Sequence, residues 1–432
     1  MPGDRPRIHW VSPLPPAETD IAHYTRRILP ELAERADLTL WTDAETWDTG
    51  LESFCPVRHL DPQRIVPGQM RPNGVRGDRP GTVFINIGNA WCFHAGLLAL
   101  ARRLPSVIIL HDLALQEMFL DTIHNDLLAR DTYLAAMHRW YGDNGKDAAR
   151  NVLDGTQSAT ELGKRFPGFE LAMENAGAVL THTHAAAQAV AARGILPAYR
   201  LDLPFRATGA ARSDRSMQGP LRLVQFGHIG PNRRLEQVLE ALAGMGPDFD
   251  FVLDIAGKIW NPDLIDARCN ALGIAGKVRR HGYIPEADLD FLLSRTHLVF
   301  NLRHPTMGEA SGSQLRIWNA AAASVVTDQG WYHHLPEDTV FRMPVDDDVT
   351  GLRTLLERLD KDRSIGQALG AAGYERLVER HGPADYADGI VDVARAFESD
   401  IRDAFLASAA RRLLSRSPEG DDLKRRGLAR LF

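Results

Sequence analysis

A chain of 432 residues is longer than one hydrophobic core normally supports, so two or three domains are expected, and two is the simplest count. With 44% hydrophobic and 25% charged residues, it has the balance of a soluble globular protein, which excludes wholesale disorder. A formal charge of −6 argues against a general nucleic-acid binder, because that role needs excess Lys and Arg to meet phosphates.

The opening Met-Pro-Gly-Asp-Arg-Pro-Arg leads straight into the apolar run 8–11. That run is too short for a signal h-region or a spanning helix, so the chain is expected to be cytoplasmic. Short β-branched runs then alternate with longer helical stretches, the pattern of parallel strands joined by crossover helices. In the first half the strand runs are 8–14, 38–42, 83–88, 107–110 and 179–181. A long stretch over about 115–166 interrupts them, with apolar positions at helical spacing. It reads as an acceptor-side insertion or as plain packing material.

Residues 206–220 hold Gly, Ala, Ser, Asp and Arg without apolar period, as an exposed linker would. The expected domains are therefore 1–206 and 207–432. In the second, strand runs fall at 221–227, 251–256, 278–283, 298–302, 325–328 and 340–343. The predicted fold is α/β, with one doubly wound parallel sheet per half. Residues 384–414 read as helix, and the tail from Arg411 to Phe432 carries seven basic against three acidic side chains. Such a tail could touch anionic lipid or be a solvated terminus. Cys55, Cys92 and Cys269 lack the paired spacing of a zinc or disulfide framework and are expected to be reduced packing residues.

In open α/β sheets ligands bind outside the carboxyl ends of the strands, so the polar residues after each apolar run deserve scrutiny. His111 and Asp112 follow the fourth run, and Gly227 to Arg234 reads Gly-His-Ile-Gly-Pro-Asn-Arg-Arg. That loop is expected to enter a helix near Asn232, whose free N–H groups would face an anion, with the Arg233 fork suited to a diphosphate. A tight turn with a solvated Arg pair is the plain alternative. The spacing of Gly227 and Gly230 is not the Gly-x-Gly-x-x-Gly fingerprint, which weakens the case for a nicotinamide cofactor.

Gly257 and Lys258 follow the next run, and Arg303 to Ser313 forms the richest loop. There Gly308 and Gly312 would allow close backbone approach, and Ser311 or Ser313 could cap a helix. Glu309 could accept hydrogen bonds from sugar hydroxyls or be an ordinary capping carboxylate. His111 and His94, each near a strand end, could meet a substrate hydroxyl or be structural. The acidic pairs Asp248/Asp250 and Asp288/Asp290, and the run 346–348, read as solvated carboxylates; the first precedes a strand and the second lies in a helical stretch, whereas a metal-binding pair should follow a strand.

In order and spacing these loops resemble the retaining GT-B glycosyltransferases of family four over nearly the full chain. The resemblance is carried by Ser-Pro-Leu-Pro-Pro with Asp20 to Tyr24, by Ile-Gly-Asn with His94, by Val-Ile-Ile-Leu-His-Asp, by Gly227 to Arg233, and by Glu309. It implies two Rossmann-like domains facing across a cleft, an acceptor side with Asp20, His94 and Asp112, and a donor side. His111 falls where the family has a His that reaches the transferred sugar, and Glu309 on the first Glu of its E-x7-E motif. Gly227, His228, Arg233, Lys258, Gly282, Tyr283, Gly308, Ala310, Ser311, Gly312, Ser313 and Arg316 complete the implied donor set, with His111, Glu309 and Arg233 catalytic. Two departures stand out: Asp20 lies near a place the family often gives to Gly, and Ile317, beside Arg316, replaces the second motif Glu.

The implied reaction moves a sugar from a nucleotide diphosphate sugar to an acceptor hydroxyl with retention, in surface glycan or polysaccharide assembly. No cofactor or metal is expected beyond that co-substrate. The implied partners are the donor and a glycan or lipid-linked acceptor, with peripheral membrane contact through the basic tail and no nucleic acid. Rival readings are a nucleotide-sugar epimerase or hydrolase, which would consume donor without acceptor, and a non-catalytic sugar-nucleotide or glycan-binding partner.

Overall fold

The computed structural model describes residues 5–64, 70, 81–209, 215–346 and 348–398. They form two compact units, each built on a parallel sheet. The first runs to Pro204 and also takes in Met307–Ala310 and the chain from Pro383; the second holds Phe205–Thr306 and Ser311–Gly382.

In the first unit the order is β1 (Arg7–Val11), α1 (Asp20–Arg35), β2 (Asp37–Thr42), β3 (Val57–His59), β4 (Thr82–Ile87), α2 (Trp91–Ala101) and β5 (Ser106–Leu110). There follow α3 (Gln116–His124), α4 (Arg130–Leu153), α5 (Ala159–Arg165), β6 (Ala176–Thr181), α6 (His184–Ala192) and β7 (Ala198–Arg200). The seven strands lie in the order β3-β2-β1-β4-β5-β6-β7, all pairs parallel. Every residue of β5 and β6 is buried, as expected of central strands covered on both faces and written in continuous apolar code. The predicted helical stretch 115–166 is α3, α4 and α5. Much of it is packing material: Met118, Phe119, Tyr133, Met137, Ala149 and Leu162 are all buried in the cluster that covers one sheet face.

The second unit contains β8 (Leu221–Phe226), α7 (Leu235–Ala243), β9 (Phe251–Ala256), α8 (Pro262–Ala271), β10 (Val278–Gly282), α9 (Glu286–Ser294) and β11 (Leu298–Asn301). It continues with α10 (Gly312–Asn319), β12 (Ala323–Thr327), β13 (Phe341–Met343), α11 (Asp348–Lys361) and α12 (Ser364–Arg380). Its six strands run β10-β9-β8-β11-β12-β13, again all parallel. Read from the first strand of each unit, both orders open 3-2-1-4-5-6, the Rossmann arrangement, so each reverses direction beside its first strand, and ligands of such sheets sit at that reversal. All eleven predicted strands are present. The three-residue edge strands β3 and β7 are additional.

The helix over 383–398 departs from the predicted division, which placed it with the second half. It packs in the first unit: Tyr386, Ala387, Ile390, Val391, Ala394 and Phe397 are buried in one cluster with Trp10, Tyr24 and Ile28. The Tyr386 and Tyr24 hydroxyls meet at 2.5 Å, and Thr82 donates to the Ala394 carbonyl at 3.3 Å. An amphipathic helix needs an apolar partner, and this one finds it across α1 rather than near its sequence neighbours. The basic tail 411–432, residues 210–214 of the linker and Asp347 lie outside the described residues. No helix among the described residues is long and apolar enough to cross a membrane.

Candidate active site

In the second unit the carboxyl ends of β8 and β9 continue side by side beyond the strands. Gly227 N–H donates to the Ala256 carbonyl at 2.9 Å, Ile229 N–H to the Lys258 carbonyl at 2.8 Å, and Gly257 N–H to the Gly282 carbonyl at 2.6 Å. The parallel register Phe226↔Ala256 resumes at Ile229↔Ile259, so His228 and Lys258 hold matching positions on neighbouring loops. Both are exposed, while Ile229 and Ile259 beneath them are buried. The loops approach so closely that a Cβ at Gly257 would lie 2.1 Å from the Gly227 carbonyl oxygen, at a φ of +122°. Glycine there is a requirement of the site's floor.

Arg233 closes this corner. Its Nη2 lies 3.7 Å from the place a Gly227 Cβ would take, and its Nη1 donates to Asn301 Oδ1 at 3.2 Å. The approach differs from expectation: a 3-10 turn, Pro231–Arg233, precedes α7, which starts only at Leu235 after Arg234 in the left-handed region with φ +56°. Pro231 fixes the tight turn, and the left-handed Arg234 separates it from α7. Arg233 is therefore presented by a turn rather than by a helix starting at Asn232.

Ser311 is the cap of α10, its Oγ accepting from Gln314 N–H at 3.1 Å, while Gly312 and Ser313 are the helix's first two residues. Arg316 is engaged by α9: its guanidinium meets Glu286 at 2.6 Å and Asp290 at 3.5 Å, leaving the side chain 13% exposed. Ile317 is fully buried with Val224, Phe226 and Val299, so the residue at the second motif position belongs to the core. Gly282 ends β10, and Tyr283 after it is 84% exposed.

In the first unit the segment Met307–Ala310 is tied to the loop after β5. Leu113 N–H and Ala114 N–H both donate to the Met307 carbonyl at 2.9 Å, and Thr183 Oγ1 donates to the Gly308 carbonyl at 3.1 Å. Gly308 has φ +82°, and a Cβ there would stand 2.6 Å from Leu113 Cβ, so no other residue fits without displacement. The Glu309 carboxylate accepts from Met307 N–H at 2.7 Å; Ala310 follows, partly buried.

Around β5 the histidines form a graded set. Asn86 Nδ2 donates to the Val11 carbonyl at 3.0 Å, so its Oδ1 must accept from His111 Nε2 at 2.9 Å. That assigns the His111 proton to Nε2 and leaves Nδ1 as an acceptor. His94 and His182 instead donate from Nδ1, to the carbonyls of Asn86 (3.2 Å) and Leu201 (3.1 Å), which leaves each Nε2 lone pair buried without a protein partner. The His111 and His182 rings lie 5.0 Å apart, with Tyr24 4.8 Å from His111. Asp112 accepts from Asn89 N–H at 2.8 Å. Asp20 is the exposed first residue of α1.

His182 and Asn301 were missed by sequence reasoning. His182 follows β6 as His111 follows β5, so the same signal would have found it. Asn301 is a polar residue interrupting the otherwise apolar run 298–302, and that break was its only mark. Among the described residues no group of three or more His, Cys, Asp and Glu is placed to hold a metal ion.

Burial lowers the pKa of His94 and of His182 to about 4, and that of His111 falls well below 6.5 through burial and the neighbouring rings. All three are neutral near pH 7. Because the folded state binds these protons less readily than the unfolded chain, the associated stability is complete above about pH 6.5 and is lost as pH falls toward 4. Urea unfolding midpoints should be level from pH 8 to 7 and decline through pH 6 and 5, each such group costing about 1.4 kcal/mol per pH unit in that window. The double variant His94→Gln/His182→Gln should make the decline shallower, with His111 and the buried His9, lowered to about 4, keeping their shares.

Two Rossmann-like units, each with its sheet order reversing beside its first strand, define the class of fold. Residues 233–392 match a glycosyl transferase-like family. Among solved structures the chain is similar to HepE of Anabaena in complex with UDP and glucose, with TM-score 0.58 and 16% identity over 90% of this chain and 99% of that one. It is similar also to sucrose-phosphate synthase of Thermosynechococcus elongatus (TM-score 0.60, 14% identity, 91% and 100% covered). A third is WaaG, a glycosyltransferase involved in lipopolysaccharide biosynthesis (TM-score 0.54, 12% identity, 90% and 99% covered). No curated protein matches the sequence. The chain thus has the GT-B fold, and its residues 233–392 are similar to a glycosyl transferase-like family, in line with the resemblance its loops carry.

Proposed function

We propose that the protein is a retaining glycosyltransferase that moves a sugar from a nucleoside diphosphate sugar to an acceptor hydroxyl, in the assembly of a surface glycan. The observation that carries this reading is the Arg233 guanidinium held over Gly227 at the reversal of the second sheet, with exposed Lys258 and His228 on the adjoining loop ends. Charge builds on the leaving diphosphate as the glycosidic bond breaks, and fixed cations there stabilise the transition state more than the ground state. UDP and glucose in HepE support the same substrate class.

In the first unit, His111 Nδ1 is an acceptor for a sugar hydroxyl, and Asp20, His94 and Asp112 lie on the side assigned to the acceptor. Glu309, whose carboxylate accepts from Met307 N–H, is assigned to recognition of a sugar hydroxyl. Arg316, committed to Glu286 and Asp290, shapes the nucleoside end indirectly. We place the enzyme in the cytoplasm, with the tail 411–432 meeting anionic lipid near a lipid-linked acceptor.

A thermal-shift panel of UDP, GDP, ADP and their sugar conjugates tests this, since a ligand that binds only the folded state raises the melting point. One base series should stabilise the protein, and the matching sugar nucleotide should be consumed only when acceptor is added. Consumption without acceptor would make it a hydrolase or epimerase. No shift in any series would remove the donor reading and leave a non-catalytic glycan-binding partner as the one to pursue.

A further inference from the structure

A buried chain of amides and hydroxyls stands behind Arg233. Asn301, at the end of β11, is 3% exposed, and Gln314 and Ser324 are fully buried. Asn301 Oδ1 accepts from Arg233 Nη1 at 3.2 Å, while its Nδ2 donates to Gln314 Oε1 at 2.9 Å and to Ser311 Oγ at 3.4 Å. Gln314 Nε2 in turn donates to Ser324 Oγ at 2.7 Å. Arginine can only donate, so the cation fixes the direction of every bond behind it. The Asn301 oxygen must face Arg233, its amide nitrogen must face Gln314, and the Gln314 nitrogen must face Ser324. A reversed Asn301 would set donor against donor.

The chain has two further properties. It is neutral, so it aims the guanidinium without cancelling its charge, whereas a carboxylate at the same place would hold Arg233 more tightly and neutralise it. It also reaches Ser311, the cap of α10, so one amide locks both the arginine and the start of that helix.

Resting on the donor reading above, we propose that Asn301 is a positioning residue that presets Arg233 for the donor diphosphate, with Gln314 and Ser324 fixing its orientation. Ordering a flexible arginine before the ligand arrives removes an entropic cost from binding.

The test is a double-mutant cycle read by calorimetric titration with whichever of UDP, GDP and ADP binds the wild type best. Arg233→Ala should weaken binding at least tenfold. Asn301→Ala should weaken it about fivefold or more, because Arg233 loses the acceptor that holds its charged donor in place. If Asn301 acts through Arg233, the double variant should bind no more weakly than Arg233→Ala alone. Asn301→Asp, nearly the same shape, guards against a misfolded alanine variant. With Gln314 turned over, its Nε2 can donate to the new carboxylate and its Oε1 can accept from the Ser324 hydroxyl, so Asn301→Asp should keep the melting point through its ion pair with Arg233 yet bind the diphosphate at least fivefold more weakly, with a smaller salt dependence.

Additive losses in the cycle, or an Asn301→Asp protein that binds like wild type, overturn this inference alone. If none of the three nucleotides binds the wild type, or if Arg233→Ala binds unchanged, the donor reading fails and the inference falls with it.

Discussion

Arg233→Ala is expected to lower kcat/KM for the sugar nucleotide by roughly 10²-fold and to abolish the thermal shift that the preferred nucleoside diphosphate gives. The magnitude follows from the loss of a charge-assisted donor at the leaving group, where removal of one well-placed donor costs about 10²–10³ in rate. Arg233 lies over Gly227 and is held by Asn301, so its guanidinium is set before any ligand arrives. Arg233→Lys should recover only part of the loss, because an ammonium restores the charge but not the planar fork. Steady-state kinetics separate the contributions. A fall in kcat with little change in KM would place the interaction in the transition state, and a rise in KM alone would make it uniform binding. Wild-type kinetics in Arg233→Ala would remove the centre of the proposed mechanism.

Gly257→Ala should be the most damaging single-methyl change in the second unit. The new Cβ would meet the Gly227 carbonyl oxygen at 2.1 Å and its nitrogen at 3.1 Å, at a φ of +122° that side chains rarely adopt. Backbone atoms cannot swing aside as a side chain can, so the β8 and β9 loops must separate. A cost of roughly 3 kcal/mol or more is expected from strain and lost pairing, with a melting point several degrees lower. Nucleotide affinity should fall as well, because the displaced loops carry His228 and Lys258. Gly276→Ala is the control: a Cβ there meets nothing within 4 Å, and it should be neutral or slightly stabilising. Equal melting points for the two variants would refute the argument.

Much of the fold was legible because central parallel strands are buried on both faces and must be written in runs such as Ser106–Leu110 and Phe251–Ala256. The edge strands Val57–His59 and Ala198–Arg200 were not legible, since three residues bearing exposed positions carry no period. The glycines and cations of the loops after β8 and β9 could be read because they lie consecutively after strands. The turn that delivers Arg233 could not, because a left-handed Arg234 has no signature in sequence. Asn301 was hidden for another reason. Its partners Arg233 and Gln314, and Ser324 behind Gln314, come from three separate segments, and only the folded sheet places them together. The partner of the helix over 383–398 was hidden likewise: its apolar face announces burial, not the surface that receives it.

That helix also bears on the order of events during synthesis. The first unit reaches Pro204 early, yet its covering helix comes after Pro383, and a ribosome adding roughly 5–20 residues per second needs on the order of 10–35 s to make the chain between. Throughout that interval the surface around Tyr24 and Ile28 that Tyr386 and Ile390 will cover stays bare on the nascent chain. It is a sticky face that chaperones can hold and that neighbouring nascent chains can mispair with. The second unit, with no segment owed to it from later in the chain after Gly382, can close first. The part of the protein made earliest is thus the part finished last.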